Sequence, residues 1–120
     1  MKDLVNQWFE QSVPFEGILA CGVRFPDQSS VSKTWADGFE ESAVENALRC
    51  VIDGFQIVQM NRINPSRLRW VYSGGFLYCE RRQDGTCLGV FTSKDVESIG
   101  LEGLERLFTE FQAVARGTPL

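Results

Sequence analysis

Between residues 41 and 60 the apolar side chains Val44, Leu48, Val51, Phe55 and Val58 recur at steps of 4, 3, 4 and 3, and strand-like segments lie on both sides of them in the chain. That spacing is one face of a long helix, and such a face must be buried against another layer. Ser42-Ala43-Val44-Glu45 has the form of a capping box for its start, and Glu45, Arg49 and Asp53 are i,i+4 neighbours on the solvated side. A second stripe, Ala43, Ala47, Cys50 and Gly54, consists only of small residues. Gly54 costs about 1 kcal/mol relative to alanine inside a helix, and close packing would offset that. The stripe therefore either lies flat on a sheet or meets another helix.

The flanking segments supply the sheet. Gly17–Phe25 is apolar on both faces except for Arg24, as a central strand covered on two sides would be. After the turn Pro26-Asp27-Gln28, Ser29–Trp35 alternates between Val31, Lys33, Trp35 and Ser30, Ser32, Thr34, as an edge strand does. Beyond Asn64-Pro65-Ser66, the segments Arg67–Ser73, Phe76–Arg82 and Thr86–Thr92 read as a meander. A Gly74-Gly75 loop would set Val71 opposite Tyr78, Arg69 opposite Glu80 and Arg67 opposite Arg82. With Asp84-Gly85 as the next loop, Cys79 and Cys87 point to opposite faces; a three-residue loop reverses that. Leu4, Val5, Trp8 and Phe9 make a short helix ended by Pro14, and Leu101, Leu104, Leu107, Phe108, Phe111 and Val114 make a closing one. Ser98 is placed to cap that last helix, with Gly117 and Pro119 to stop it. The expected fold is α+β, an α/β/α sandwich of order α-β-β-α-β-β-β-α around a five-stranded antiparallel sheet, in one domain spanning 1–120.

Composition narrows the chemistry. The chain has no histidine, which removes the commonest general base, the usual serine and cysteine triads and nearly every catalytic zinc site. There is no phosphate-loop, dinucleotide or nucleophile-elbow motif. Cys21, Cys50, Cys79 and Cys87 contain no C-x-x-C pair and sit among apolar neighbours, so they read as buried thiols in a reducing compartment. A nucleophilic Cys21 or Cys87 is the weak enzymatic alternative, and Glu40-Glu41 is explained by a helix start. No metal or cofactor is expected. No apolar run approaches the roughly 20 residues of a membrane span, and no signal peptide is evident, so the expectation is a cytoplasmic protein without membrane insertion.

Charge is segregated: residues 1–60 carry net −5, residues 61–94 net +4 and residues 95–120 net −3. Arg62, Arg67, Arg69, Arg81 and Arg82 make the basic island a candidate contact for an anionic partner. Trp70, Tyr72, Phe76 and Tyr78 interleave with it like a nucleic-acid stacking platform, but two covered strand faces need the same aromatics as core, so nucleic acid is not expected.

Phe15-Glu16-Gly17-Ile18-Leu19-Ala20-Cys21-Gly22-Val23 resembles the first strand of the roadblock/dynein light chain family. Leu88-Gly89-Val90-Phe91-Thr92 and Gly100-Leu101-Glu102-Gly103-Leu104 resemble its last strand and closing helix. The first hairpin departs from the family's aspartate-glycine turn. The resemblance implies a profilin-like sheet and a homodimer in which the third strands pair edge to edge and the long helices pack together. Arg67, Arg69 and Val71, with Ala43, Ala47, Cys50 and Gly54, would then form the interface. It also implies a non-enzymatic regulatory scaffold that binds small Ras-like GTPases or serves as a dynein light chain. Two other readings stay open: an acidic secretion-chaperone-like protein that holds an extended peptide, and a profilin-like sensor with a ligand cavity. A core filled by Trp8, Trp35 and Trp70 would oppose the sensor reading.

Overall fold

In the computed structural model the described residues are 2–12, 17–36, 38–63, 65–94 and 101–114. In chain order they form α1 (Lys2–Ser12), β1 (Ile18–Arg24), β2 (Ser30–Thr34), α2 (Glu41–Met60), β3 (Arg67–Tyr72), β4 (Gly75–Arg81), β5 (Cys87–Thr92) and α3 (Leu101–Ala113). The strands make one antiparallel sheet of order β2-β1-β5-β4-β3, which is the α+β order that the periodicities imply. Pro14, Ser98, Gly117 and Pro119 lie outside the described residues.

Alternation along the strands sorts the core into two layers. On one face Val5, Trp8 and Phe9 of α1 and Leu104, Leu107, Phe108 and Phe111 of α3 pack on Cys21, Val23, Leu88 and Val90. The Trp8 indole donates to Glu110 Oε1 at 2.8 Å, tying α1 to α3. On the other face Val44, Leu48, Val51 and Phe55 of α2 cover Ala20, Leu77, Cys79, Cys87 and Phe91. The register of β1 against β5 slips at Leu19, between the pairs Ile18/Thr92 and Ala20/Phe91, and the Leu19 carbonyl accepts from Trp35 at 2.9 Å and Ala36 at 3.2 Å. That bulge lets Ile18 face α1 and α3 while Leu19 and Ala20 both turn toward α2.

One contact seats α2. Gly22 and Gly89 are cross-strand partners, and together they leave a hollow in the sheet. Leu48 fills it: a Cβ on Gly22 would lie 2.6 Å from Leu48 Cδ1 and 2.7 Å from Val44 Cγ1, and one on Gly89 would lie 2.9 Å from Leu48 Cδ2. An alanine at either position would press on the Leu48 side chain and force it to shift.

Four local expectations are corrected. The β3–β4 loop is Ser73-Gly74, because Tyr72 pairs with Gly75, so Val71 faces Phe76, Arg69 faces Tyr78 and Arg67 faces Glu80. Gly75 belongs in the strand because a Cβ there would fall on the Thr92 carbonyl oxygen, and the new register replaces an Arg67/Arg82 repulsion with an ion pair. The β4–β5 loop is Gln83-Asp84-Gly85, closed by Arg82 N–H to Thr86 O at 2.8 Å, with Gly85 at φ +92°. Cys79 and Cys87 therefore share the α2 face, both as free thiols. The capping box does not form: the N-cap is Glu40, with no side-chain cap, and Ser42 instead donates to Glu40 Oε2 at 3.5 Å. Finally, Cys50 is exposed, while the other three cysteines are buried.

The Leu48 seat predicts a coupled pair of costs. Leu48→Ala should destabilise by about 2–5 kcal/mol and Gly89→Ala by about 1–3 kcal/mol, whereas the double variant should cost less than their sum by about 1 kcal/mol, because the added methyl enters the vacated space. Urea denaturation of the four proteins measures this, and strict additivity would contradict the proposed seat.

Candidate functional site

Because α2 is anchored over β1 and β5, the far end of the sheet projects beyond it, and β3 is the last strand of the order. Antiparallel strands alternate between residues bonded to one neighbour and residues facing the other. The Ser66 carbonyl accepts from Arg81 N–H at 2.8 Å, so Leu68, Trp70 and Tyr72 continue the ladder to β4. The N–H and C=O groups of Arg67, Arg69 and Val71 therefore point out from the free edge. Five of the six β3 residues are exposed, Val71 by 68%.

The α2-side face of this overhang is apolar. Trp70, 43% exposed, lays its ring against α2, where a Cβ on Gly54 would lie 3.1 Å from Trp70 Cζ2. Gly54 is thus the residue that admits an indole from the edge strand. Between them a cleft of about 250 Å³ is lined by Ala47, Cys50, Trp70, Tyr72 and Leu77 among others. Ala43 and Cys50 are exposed and Ala47 and Gly54 half-buried, so the small stripe does not lie flat on the sheet, as one reading had it; Ile57, 61% exposed, extends it by one step. Trp70 is not core either. Trp8 is buried and Trp35 packs against the α1/α3 layer, whereas Trp70 meets α2 only along one edge and stays 43% exposed. Burial against Phe91 holds the Tyr72 phenol above its ordinary pKa.

The five-arginine patch does not form. Arg67 binds Glu80 Oε1 at 2.8 Å and Glu105 Oε1 at 2.6 Å while its guanidinium lies 4.4 Å from the Phe108 ring centroid, on the α3 face. Partial burial pulls its pKa down, but the two carboxylates outweigh that and raise it. Arg69 lies over Phe76 on the same face, whereas Arg81 is on the opposite face over Phe55, 3.1 Å from Gln59 Oε1. Arg82 is 4% exposed and structural: it bonds Asp84 Oδ2 at 2.8 Å and donates to the carbonyls of Phe111, at 2.9 Å, and Val114. Arg62, at φ +65°, closes the end of α2. Strand alternation sends neighbouring arginines to opposite faces, and for that reason a cluster in sequence is not a cluster in space.

The thiols follow their burial. Desolvation pushes Cys21 and Cys79 well above the ordinary thiol range, and Cys87 to about 11, against the opposing pull of Arg81 and Arg24. At neutral pH these three are thiols, poorly suited to nucleophilic attack. Among the described residues no three of Cys, Asp and Glu converge as a metal-binding group. No helix among them is long and apolar enough to cross a membrane. No family model matches the chain, and no curated protein matches it.

The Arg82–Asp84 pair makes a pH prediction. Partial burial pushes the Asp84 carboxyl up, but hydrogen bonds from Arg82 and Thr86 outweigh it and hold the folded pKa below its ordinary value. A depressed folded pKa gives stability that is present above the unfolded value, about 4, and lost as pH falls through the folded one. Asp84→Asn should therefore lower the melting temperature at pH 7, and the difference from wild type should shrink below about pH 4. An equal difference at pH 7 and pH 2.5 would contradict this role.

Proposed function

We propose that the chain acts without chemistry of its own, as a scaffold that dimerises through β3 and offers the joined surface to a folded protein partner. This is the role of roadblock-family domains toward small Ras-like GTPases. The observation that carries the reading is the overhang: among the described residues β3 has outward, unpaired backbone groups at Arg67, Arg69 and Val71, with the apolar side chains Trp70 and Tyr72 partly exposed beside them. An open edge strand is a template for a further strand, and a second copy supplies one with the same pattern. The small residues Ala47 and Cys50 beside the edge favour a helix of a folded copy over an extended peptide, because they allow close backbone approach.

The charges favour one register. Pairing β3 about Arg69 would set that arginine opposite its own copy, which is unfavourable in a cross-strand pair. Pairing about Trp70 instead sets the two indoles together at the two-fold axis and Arg69 opposite Val71 of the partner subunit. In that arrangement the outward N–H of Val71 bonds across the axis and takes no part in the β3–β4 ladder.

Val71→Pro should therefore leave the fold's melting temperature nearly unchanged while removing two hydrogen bonds per dimer, weakening association by about 10- to 100-fold. Light scattering across a dilution series measures this. In a Cys50→Ser background, Trp70→Cys should form a disulfide-linked dimer readily and Arg69→Cys poorly, since a non-hydrogen-bonded antiparallel pair has Cα atoms about 4.5 Å apart. A wild-type monomer at all concentrations would overturn the reading. A dimer insensitive to Val71→Pro would overturn edge pairing, and preferential capture of extended peptides would favour the chaperone-like alternative.

A further inference from the structure

On the side of the sheet remote from β3, the β1–β2 turn and α2 enclose a polar cleft of about 300 Å³ whose lining includes Arg24, Gln28, Arg49, Asp53 and Gln56. The turn is tightly built: Phe25 N–H bonds Ser29 O at 2.8 Å, Gln28 N–H bonds Phe25 O at 2.9 Å, and Asp27 Oδ1 accepts from Ser29 N–H at 2.9 Å. Gln28 is held at φ +73°, in the left-handed region that a non-glycine residue seldom occupies. Pro26 abuts the β4–β5 loop, where a Cβ on Gly85 would lie 3.6 Å from Pro26 Cγ. The wall bearing Arg24 and Gln28 is thereby fixed against a second hairpin, and the other wall is one face of α2.

The arginines of this cleft differ from those of β3 and β4. Arg67, Arg81 and Arg82 each bond side chains of the chain itself. Arg24 and Arg49 make no ion pair and no hydrogen bond from their side chains among the described residues, although Asp53 lies on the same cleft. Arg24 alternates with Ala20 and Gly22, both of which face α2, and that places its guanidinium on the α2 side of the sheet beside Arg49 and Gln56. Two guanidiniums without partners among the described residues and two carboxamides on one concave surface form a set of planar donors suited to a tetrahedral oxyanion. The volume is at the small end for a ligand site and suits a compact molecule.

We propose that this cleft binds the phosphoryl group of a small phosphorylated molecule, held between the guanidiniums of Arg24 and Arg49 with Gln28 and Gln56 as further donors. The site lies across the sheet from the β3 edge, so it stands or falls independently of the dimer. The test is an NMR titration of the isotopically labelled full chain with inorganic phosphate and with O-phosphoserine, and with serine as the control. The expected result is saturable displacement of the Arg24, Gln28, Arg49 and Gly85 amide signals by both phosphates and not by serine. Affinity should fall at least about tenfold in Arg24→Gln and in Arg49→Gln and stay unchanged in Arg69→Gln. Arg49 is exposed on α2, so its variant keeps the test valid should Arg24→Gln fail to fold. Non-saturating or scattered shifts, or unchanged affinity in Arg49→Gln, would overturn the site. A phosphoserine peptide binding more than about tenfold tighter than free phosphoserine would overturn the small-molecule assignment in favour of a modified protein segment.

Discussion

The structure depends on a leucine pressed into a two-glycine hollow. Leu48 sits over the cross-strand pair Gly22/Gly89, and that contact fixes where along the sheet α2 can lie. A helix so anchored over β1 and β5 covers the middle of the sheet and leaves Trp70 and Tyr72, at its β3 end, only partly covered on the α2 side. The exposed Trp70 and Tyr72 follow from this placement, and Gly54 follows from the need to admit the Trp70 ring beside the helix. The candidate site is thus a consequence of core packing: the same close approach that stabilises one end of the sheet exposes the other.

The segregated charge of the sequence has a use within the fold. The basic stretch lies against the acidic closing helix. Arg67 joins Glu80 of β4 and Glu105 of α3, Gln112 of α3 donates to Glu80 Oε2 at 2.8 Å, and Arg82 caps the last carbonyls of α3 at Phe111 and Val114. A cation at a helix C-terminus is favourable, and a buried one with its donors satisfied fixes the helix orientation. Removing Arg82 would leave those carbonyls without their donor, which costs more than a surface ion pair contributes. Two arginines of the positive island, Arg67 and Arg82, fasten α3, and the other three are spread over other parts of the fold.

Much of the fold is readable from periodicity alone, because a stripe such as Val44, Leu48, Val51, Phe55 and the alternation of Val31, Lys33, Trp35 each have one physical solution. The errors fall where two solutions share a pattern. Ser73-Gly74 and Gly74-Gly75 are both acceptable hairpin loops, and only the approach of the Thr92 carbonyl to Gly75 decides between them. Asp84-Gly85 fits a two-residue loop as well as the end of a three-residue one, and that choice inverts the relation of Cys79 to Cys87. The edge itself was legible, since Arg67–Ser73 begins the meander, but its bare face was not. That face depends on the pairing of Gly22 with Gly89, two residues far apart in sequence whose meeting no local pattern announces. The Arg24/Arg49 cleft was invisible for the same reason.

The proposed dimer closes the β3 edge with a second copy of the chain. Amide hydrogen exchange at Arg69 and Val71, followed by NMR from low to high protein concentration, tests it most directly, because their N–H groups face away from β4 and have no hydrogen-bond partner among the described residues. With edge pairing, their exchange slows progressively as concentration rises, while that of Leu68 and Trp70, already bonded to β4, changes far less. Rapid exchange at Arg69 and Val71 at every concentration would contradict it.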